Sequence, residues 1–185
     1  MDLTTIKNLI PEHAKDLRLN IATVLSSEGA PGLSETQILA TAVASSIAAR
    51  NSALLREIET LAAAKLDAAQ LHAARAAASI MGMNNVYYRF THLVGNDEYA
   101  KLPARLRMNV IGNPGVDKTD FELYSLAVSA INGCGTCLAA HERVVRKAGM
   151  SAEGVQSAVR IAAVIHGIAV ALESLAAGEE ARRAA

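Results

Sequence analysis

Between a few glycine and proline breaks, the apolar residues of this chain recur at helical spacing, and no segment shows the strict alternation that a half-buried strand requires. The breaks are Pro11, Gly29 to Gly32, Pro103 and the Gly112 to Gly115 cluster. This pattern predicts an all-α protein. Alanine reinforces it: 37 of the 185 residues are Ala and only 3% are aromatic, so the helices carry small side chains that let their axes approach closely. With 51% hydrophobic residues the length suffices for one domain, residues 1–185, with a core of Leu, Ile, Val and Ala.

Local signals place several helix ends. Ser34-Glu-Thr-Gln37 reads as a capping box opening a helix that runs to about Arg50, and Thr119-Asp-Phe-Glu122 as a second, opening a helix that ends near Asn132. Asp67 and Ser151 are further N-cap candidates, and Gly149, just after Arg146 and Lys147, stands where a C-terminal glycine cap belongs. A shift of 84 residues sets Ser45-Ser-Ile47 on Ser129-Ala-Ile131, Leu54 on Leu138 and Asp67 on Ser151. It predicts two similar helical repeats, about 34–93 and 118–176, joined by a loop from Val94 to Lys118. At that shift Cys134 falls on Arg50, Cys137 on Ala53 and His141 on Glu57, so only the second repeat carries thiols.

Charge narrows the partners. Eighteen Lys plus Arg balance eighteen Asp plus Glu and alternate in sign along the chain, which argues against a nucleic-acid partner. The longest stretch without a charge, Leu123 to His141, approaches membrane length but is broken by Asn132-Gly133, and is expected to form two helices meeting at a turn, with no membrane span. The first residues carry acids early and no apolar run, so no secretory signal is expected and the default location is cytoplasmic. The two cysteines lie three positions apart, too close to staple a fold; in a reducing compartment such a pair is redox-active or metal-binding.

The segment from Ala130 to His141 concentrates the chemistry. Cys134 follows directly on a turn and Cys137 lies one helical turn further in, where unpaired N–H groups and the positive end of the helix dipole favour a thiolate. Lowering a thiol pKa from ~8.5 to ~7, about 2 kcal/mol, brings the thiolate from a few per cent to about half at neutral pH. His141, four residues after Cys137, shares its helical face and is placed to exchange a proton with it, directly or through one water. If the helices on either side of Asn132-Gly133 fold back antiparallel, Glu122 lies about 16 Å before the turn and His141 about 13 Å after it, at similar depth. Glu122 also reads as the acid of its capping box, in a polar stripe with Ser125 and Ser129 that faces water, and His141 as a satisfied half-buried histidine. A zinc site built on both cysteines and His141 is a further reading, although His13, His72, His92 and His166 show no spacing that supplies a fourth ligand. Met81-Gly-Met83 and Tyr87-Tyr88 read as core and interface, and Gly112-Asn-Pro-Gly115 as a turn, since no Gly-Lys-Ser/Thr follows it.

The segment FELYSLAVSAINGCGTCLAAHERVVRKAG, together with IMGMNNVYYRF and RLRMNVIGNPGV, resembles the alkylhydroperoxidase D family within the carboxymuconolactone decarboxylase-like fold. The resemblance covers most of the chain, and Glu122, Cys134, Cys137 and His141, at spacings of 12, 3 and 4, carry it most specifically. It implies an all-helical protein that assembles as a trimer or higher oligomer and binds no cofactor; the alanine-rich faces are the expected contact surfaces. It implies reduction of organic hydroperoxides with electrons from dihydrolipoamide or a lipoylated carrier kept reduced by dihydrolipoamide dehydrogenase, and service to a partner peroxiredoxin. By position, the resemblance makes Cys137 the thiol that attacks peroxide and becomes a sulfenic acid, and Cys134 the proton donor and resolving thiol of a Cys134–Cys137 disulfide. His141 and Glu122 become the relay that deprotonates Cys137, with a water between. One departure stands out: Gly135-Thr136 occupies the place where some members have Ser-His, so any role of that histidine is absent. The competing function is a redox adaptor that passes electrons to a peroxiredoxin without peroxidase activity of its own; it needs a low-pKa thiol but no relay. Broader relatives of the fold include decarboxylase-like and purely structural helical trimers, which would not need both cysteines.

Overall fold

The computed structural model describes residues 2–184, with side chains for 2–177. In chain order the helices are α1 (Thr4–Leu9), a 3-10 turn (Glu12–Ala14), α2 (Lys15–Val24), α3 (Glu35–Ala49), α4 (Ser52–Ala63), α5 (Ala68–Leu93), α6 (Glu98–Lys101), α7 (Asn109–Gly112), α8 (Lys118–Ile131), α9 (Gly135–Lys147) and α10 (Ala152–Ala184), and no strand occurs among the described residues.

Two helices form the centre. α3 and α8 pack against each other, and each is buried on every face over a nine-residue run, 38–46 and 121–129. A helix buried all round needs partners all round. Here α5 and α10 flank the pair, α4 folds back beside α3, α9 packs on α8 and α5, and α2 lies on α10. Alanine makes the tight contacts possible: Ala40, Ala42 and Ala44 of α3 and Ala73, Ala74, Ala77 and Ala78 of α5 are all buried. Over Ala152–Ala177, α10 is long and apolar enough to cross a membrane, at mean hydropathy 1.7, but half of that window is buried and it packs on α2, α3, α8 and α9.

The helix ends follow from side chains. Ser34 and Gln37 form the reciprocal capping box at the start of α3, and Arg50, left-handed at φ 62°, ends that helix. Asn51 caps α4 through Leu54 N–H (2.8 Å) and donates its Nδ2 to Glu173 on α10, Asp67 and Gln70 box the start of α5, and Ser151 Oγ accepts Gly154 N–H at the start of α10. Gly149, at φ 98°, follows α9 as expected. One expected cap is corrected. The box at Thr119 to Glu122 does not form: Asp117 is the N-cap of α8 and accepts Thr119 N–H at 2.7 Å, and the Thr119 side chain first, then that backbone bond, hold its carboxyl below the usual range. The helix therefore starts at Lys118, and Glu122 lies in its second turn, out of reach of the cap. The connection from Val94 to Lys118 is also more ordered than a plain loop, since it contains α6 and α7, four-residue helices too short for any apolar period to reveal.

The loop before α3 rests on the first turn of α10. Gly32 has φ +79°, and a Cβ there would lie 2.9 Å from Gly154 Cα and from Ser151 Oγ; Ser157 Oγ donates to Pro31 O beside it. Gly115, at φ +78°, has open space around it. Gly32→Ala is therefore expected to lose about 2–4 kcal/mol in chemical denaturation, from backbone strain plus overlap, and Gly115→Ala only about 1 kcal/mol, from strain alone. Equal losses would show that the close approach at Gly32 contributes nothing.

Candidate active site

The site is built on the reversal between α8 and α9. Gly133, at φ 67°, lets Cys134 N–H reach Ser129 O (3.1 Å) and Gly133 N–H reach Ala130 O (3.2 Å), the paired bonds that close a helix on a left-handed glycine. α5 clamps this turn from the side. Arg89 donates to Asn132 O (2.6 Å), Asn132 Nδ2 to Asn85 Oδ1 (2.9 Å) and Asn85 Nδ2 to Ser129 Oγ (2.9 Å). Ser125 and Ser129 thus do not face water: both are completely buried, because α8 is enclosed on all sides.

Cys134 ends one helix and begins the next. Its Sγ caps α9 by accepting Cys137 N–H at 3.3 Å, and Cys134 and Cys137 are joined as a disulfide with Cα atoms 5.3 Å apart. The two sulfurs differ in access. Cys134 has no exposed surface, whereas Cys137 is 6% exposed and lines a cavity of about 270 Å³. α5 contributes Met81, Asn84 and Tyr88 to its wall, the connection before α8 contributes Met108 and Ile111, and α9 contributes His141 beside Cys137.

Because α9 runs back along α8, Glu122 and His141 meet at the depth the residue count predicts: His141 Nδ1 lies 2.6 Å from Glu122 Oε2, with both residues buried. A carboxylate only accepts, so Nδ1 carries the hydrogen and Nε2 faces the other way. Nε2 lies 3.2 Å from Met81 Sδ, and among the described residues no hydrogen bond joins His141 to Cys137 in this disulfide form. A proton passing between them needs a bridging water or a small ring movement after reduction. Tyr124, also on α8, is a poor alternative, since burial first and then the charges of Asp120 and Asp117 push its phenol well above the usual range. Among the described residues no group of three or more His, Cys, Asp or Glu is placed to hold a metal ion.

All four residues singled out in the sequence lie in this region, with Glu122 and His141 in contact and Cys134 bonded to Cys137. Sequence reasoning missed the cavity wall. Met81 belongs to it as well as to the core, Tyr88 lines it while only half-buried, and Asn84 was not singled out. A signal existed: positions 81, 84 and 88 share one face of α5, and the polar Asn84 interrupts an otherwise apolar stripe. Met108 and Ile111 carried none, since they belong to the cap and body of α7, a helix too short to show an apolar period.

Residues 97–180 match the model of the carboxymuconolactone decarboxylase family. Over nearly the whole length the chain is similar to proteins called alkyl hydroperoxide reductase AhpD. The relative from Rhodospirillum centenum is 56% identical over 177 residues, 96% of this chain and 94% of its own. The relative from Bradyrhizobium sp. (strain BTAi1) is 56% identical over 176 residues, 95% and 96% of the two chains. That from Brucella canis is 55% identical over 174 residues, 94% and 98%.

The buried pair at the heart of the site has an energetic signature. His141→Leu leaves the Glu122 carboxylate enclosed without its partner and is expected to cost about 3–5 kcal/mol in urea unfolding of the oxidised protein. The double change Glu122→Leu with His141→Leu should recover most of that loss. Additive losses would mean that the two groups are not energetically coupled.

Proposed function

The chain belongs to the carboxymuconolactone decarboxylase family, among its alkyl hydroperoxide reductase AhpD members, and we propose that it is an antioxidant thiol peroxidase that reduces organic hydroperoxides at Cys137. One observation carries this reading: the cavity reaches Cys137, with His141 in its wall and Glu122 bonded to the far side of that imidazole, while Cys134 is fully enclosed. In the reduced protein the relay draws the proton from Cys137. The thiolate attacks the terminal peroxide oxygen, an S–O bond forms as the O–O bond breaks, and the alkoxide leaves as alcohol after taking a proton. Cys134 then attacks the sulfenic sulfur of Cys137, water leaves, and the disulfide closes. A dithiol of the dihydrolipoamide type, free or on a lipoylated carrier served by dihydrolipoamide dehydrogenase, returns the two electrons. A redox adaptor for a peroxiredoxin would need the same two thiols, but neither the cavity nor the buried Glu122–His141 pair. Supply of electrons to a partner peroxiredoxin is compatible with the same cycle and forms part of the proposal.

Self-association, as a trimer, completes the reading. The alanines of α3 and α5 are largely spent inside the core, but Val86, Phe90 and Leu93 form an exposed apolar stripe along the end of α5, at the four- and three-residue spacing of one helical face, which other copies of the chain would cover.

Two sets of variants test the chemistry. Cys137→Ser should abolish peroxide turnover and labelling by a dimedone-type probe, whereas Cys134→Ser should still form the sulfenic acid once and fail to close the disulfide. The opposite labelling pattern would reverse the roles of the two thiols. Glu122→Gln, which keeps the shape, should slow peroxide reduction by ~10²-fold with little change in melting temperature. Normal turnover in that variant would reduce Glu122 to a structural group.

A further inference from the structure

α5 places two neighbouring asparagines inside the protein, and they differ in one respect. Asn85, 1% exposed, is matched: Oδ1 accepts from Asn132 and Nδ2 donates to Ser129. Asn84, 4% exposed, is not matched, because its Oδ1 has no hydrogen-bond partner among the described residues. It stands in the cavity wall with Cys137 and His141. Buried carboxamides without partners are rare because desolvation is then uncompensated, and an apolar residue between Met81 and Tyr88 would fill the position at less cost. The arrangement makes sense if a molecule in the cavity completes the bonding.

We propose that Asn84 binds the hydroperoxide group of the substrate and selects neutral, compact alkyl or aryl hydroperoxides; this inference rests on the peroxidase reading above. A hydroperoxide offers one donor, its O–H, and an acceptor at the oxygen that bears carbon. A carboxamide offers the complement side by side. Asn84 Oδ1 accepts the O–H of the terminal oxygen, and Nδ2–H donates to the oxygen bearing carbon. As the Cys137 thiolate attacks, the terminal oxygen keeps its hydrogen and becomes the sulfenic acid. Negative charge develops on the leaving oxygen, where the Nδ2–H bond strengthens, and the proton earlier drawn from Cys137 passes back through His141 to give the alcohol. The organic part lies against Met81, Met108 and Ile111. Among the described residues no lysine, arginine or carboxylate lines the cavity, and its volume of about 270 Å³ suits a compact neutral group rather than a long anionic chain.

The test uses the full-length reduced protein with Asn84→Leu and Asn84→Ser, measuring two rates for each: disulfide formation with cumene hydroperoxide by rapid quench and mass spectrometry, and alkylation of Cys137 by iodoacetamide. Asn84→Leu is expected to slow oxidation by cumene hydroperoxide about tenfold or more, and Asn84→Ser by less, while alkylation stays within about twofold of the parent. Unchanged oxidation in both variants overturns the proposal. So does a parallel fall in both rates, since Asn84 would then act on the thiolate or on the fold rather than on the peroxide. Where Asn84→Leu does not fold, Asn84→Ser decides by the same two rates. A parent that cumene hydroperoxide fails to oxidise overturns the peroxidase reading along with this one, whereas a parent that is oxidised, with variants equally fast, removes only Asn84.

Discussion

The left-handed residue at Gly133 sets the direction of α9, and with it every distance in the site. Two backbone bonds close α8 on that glycine, and the second of them uses the N–H of Cys134, whose sulfur immediately caps α9. No linker residue is left over, so α9 starts at a fixed angle and a fixed height relative to α8. A residue with a Cβ at this conformation would carry about 1–2 kcal/mol of strain. Any relaxation of the turn would shift His141, about two turns along, relative to Glu122. The bonds from Arg89 and Asn85 to Asn132 and Ser129 make the turn part of α5 as well, so three helices are registered at one point.

That registration explains why the pair of Glu122 and His141 is tolerated inside an apolar bundle. A carboxylate moved from water to a buried position loses solvation that only a well-aligned partner restores. The 2.6 Å contact supplies the alignment, and the enclosed run of α8 from 121 to 129 removes competing water. Among the described residues the same enclosure leaves the hydroxyls of Thr41, Ser45 and Ser125 without hydrogen-bond partners, an expense carried by the Leu, Ile, Val and Ala packing around α3 and α8. Fold and site are therefore one construction: the most buried helix pair supplies the acid, and the helix that caps its end supplies the sulfur and the imidazole.

Much of this was legible in the sequence because it depends on local geometry. Helical period, the box at Ser34, the cap at Asp67, and the register of Cys137 with His141 each follow from spacing within a few residues. The meeting of Glu122 with His141 was also legible, since an antiparallel return at Asn132-Gly133 makes depth a matter of counting residues. What failed depended on tertiary surroundings. Asp117 and Thr119 are both good cap residues two positions apart, and only the burial of Glu122 distinguishes which of them starts α8. Ser125 and Ser129 looked like a solvated stripe because a helix enclosed on every side has no amphipathic pattern to reveal its surroundings. Met108 and Ile111 reach the cavity from the cap and body of α7, a four-residue helix too short to show a period that would place them.

Within the proposed function, the two thiols compete under conditions that a helix dipole alone would resolve in favour of Cys134. It is the N-cap, nearest the unpaired N–H groups, so the field at the helix start favours negative charge there at least as much as at Cys137. Acidity by itself would then direct peroxide to the wrong sulfur. Access reverses the order, because Cys134 is sealed between α8 and α9 while Cys137 faces the cavity. Burial also withholds water from a Cys134 thiolate and opposes the dipole there. Cys137 alone combines a helix N-terminus, an open face and a histidine one turn away whose charge Glu122 can balance. The division of labour between two chemically identical side chains thus follows from three residues of chain and the turn that precedes them.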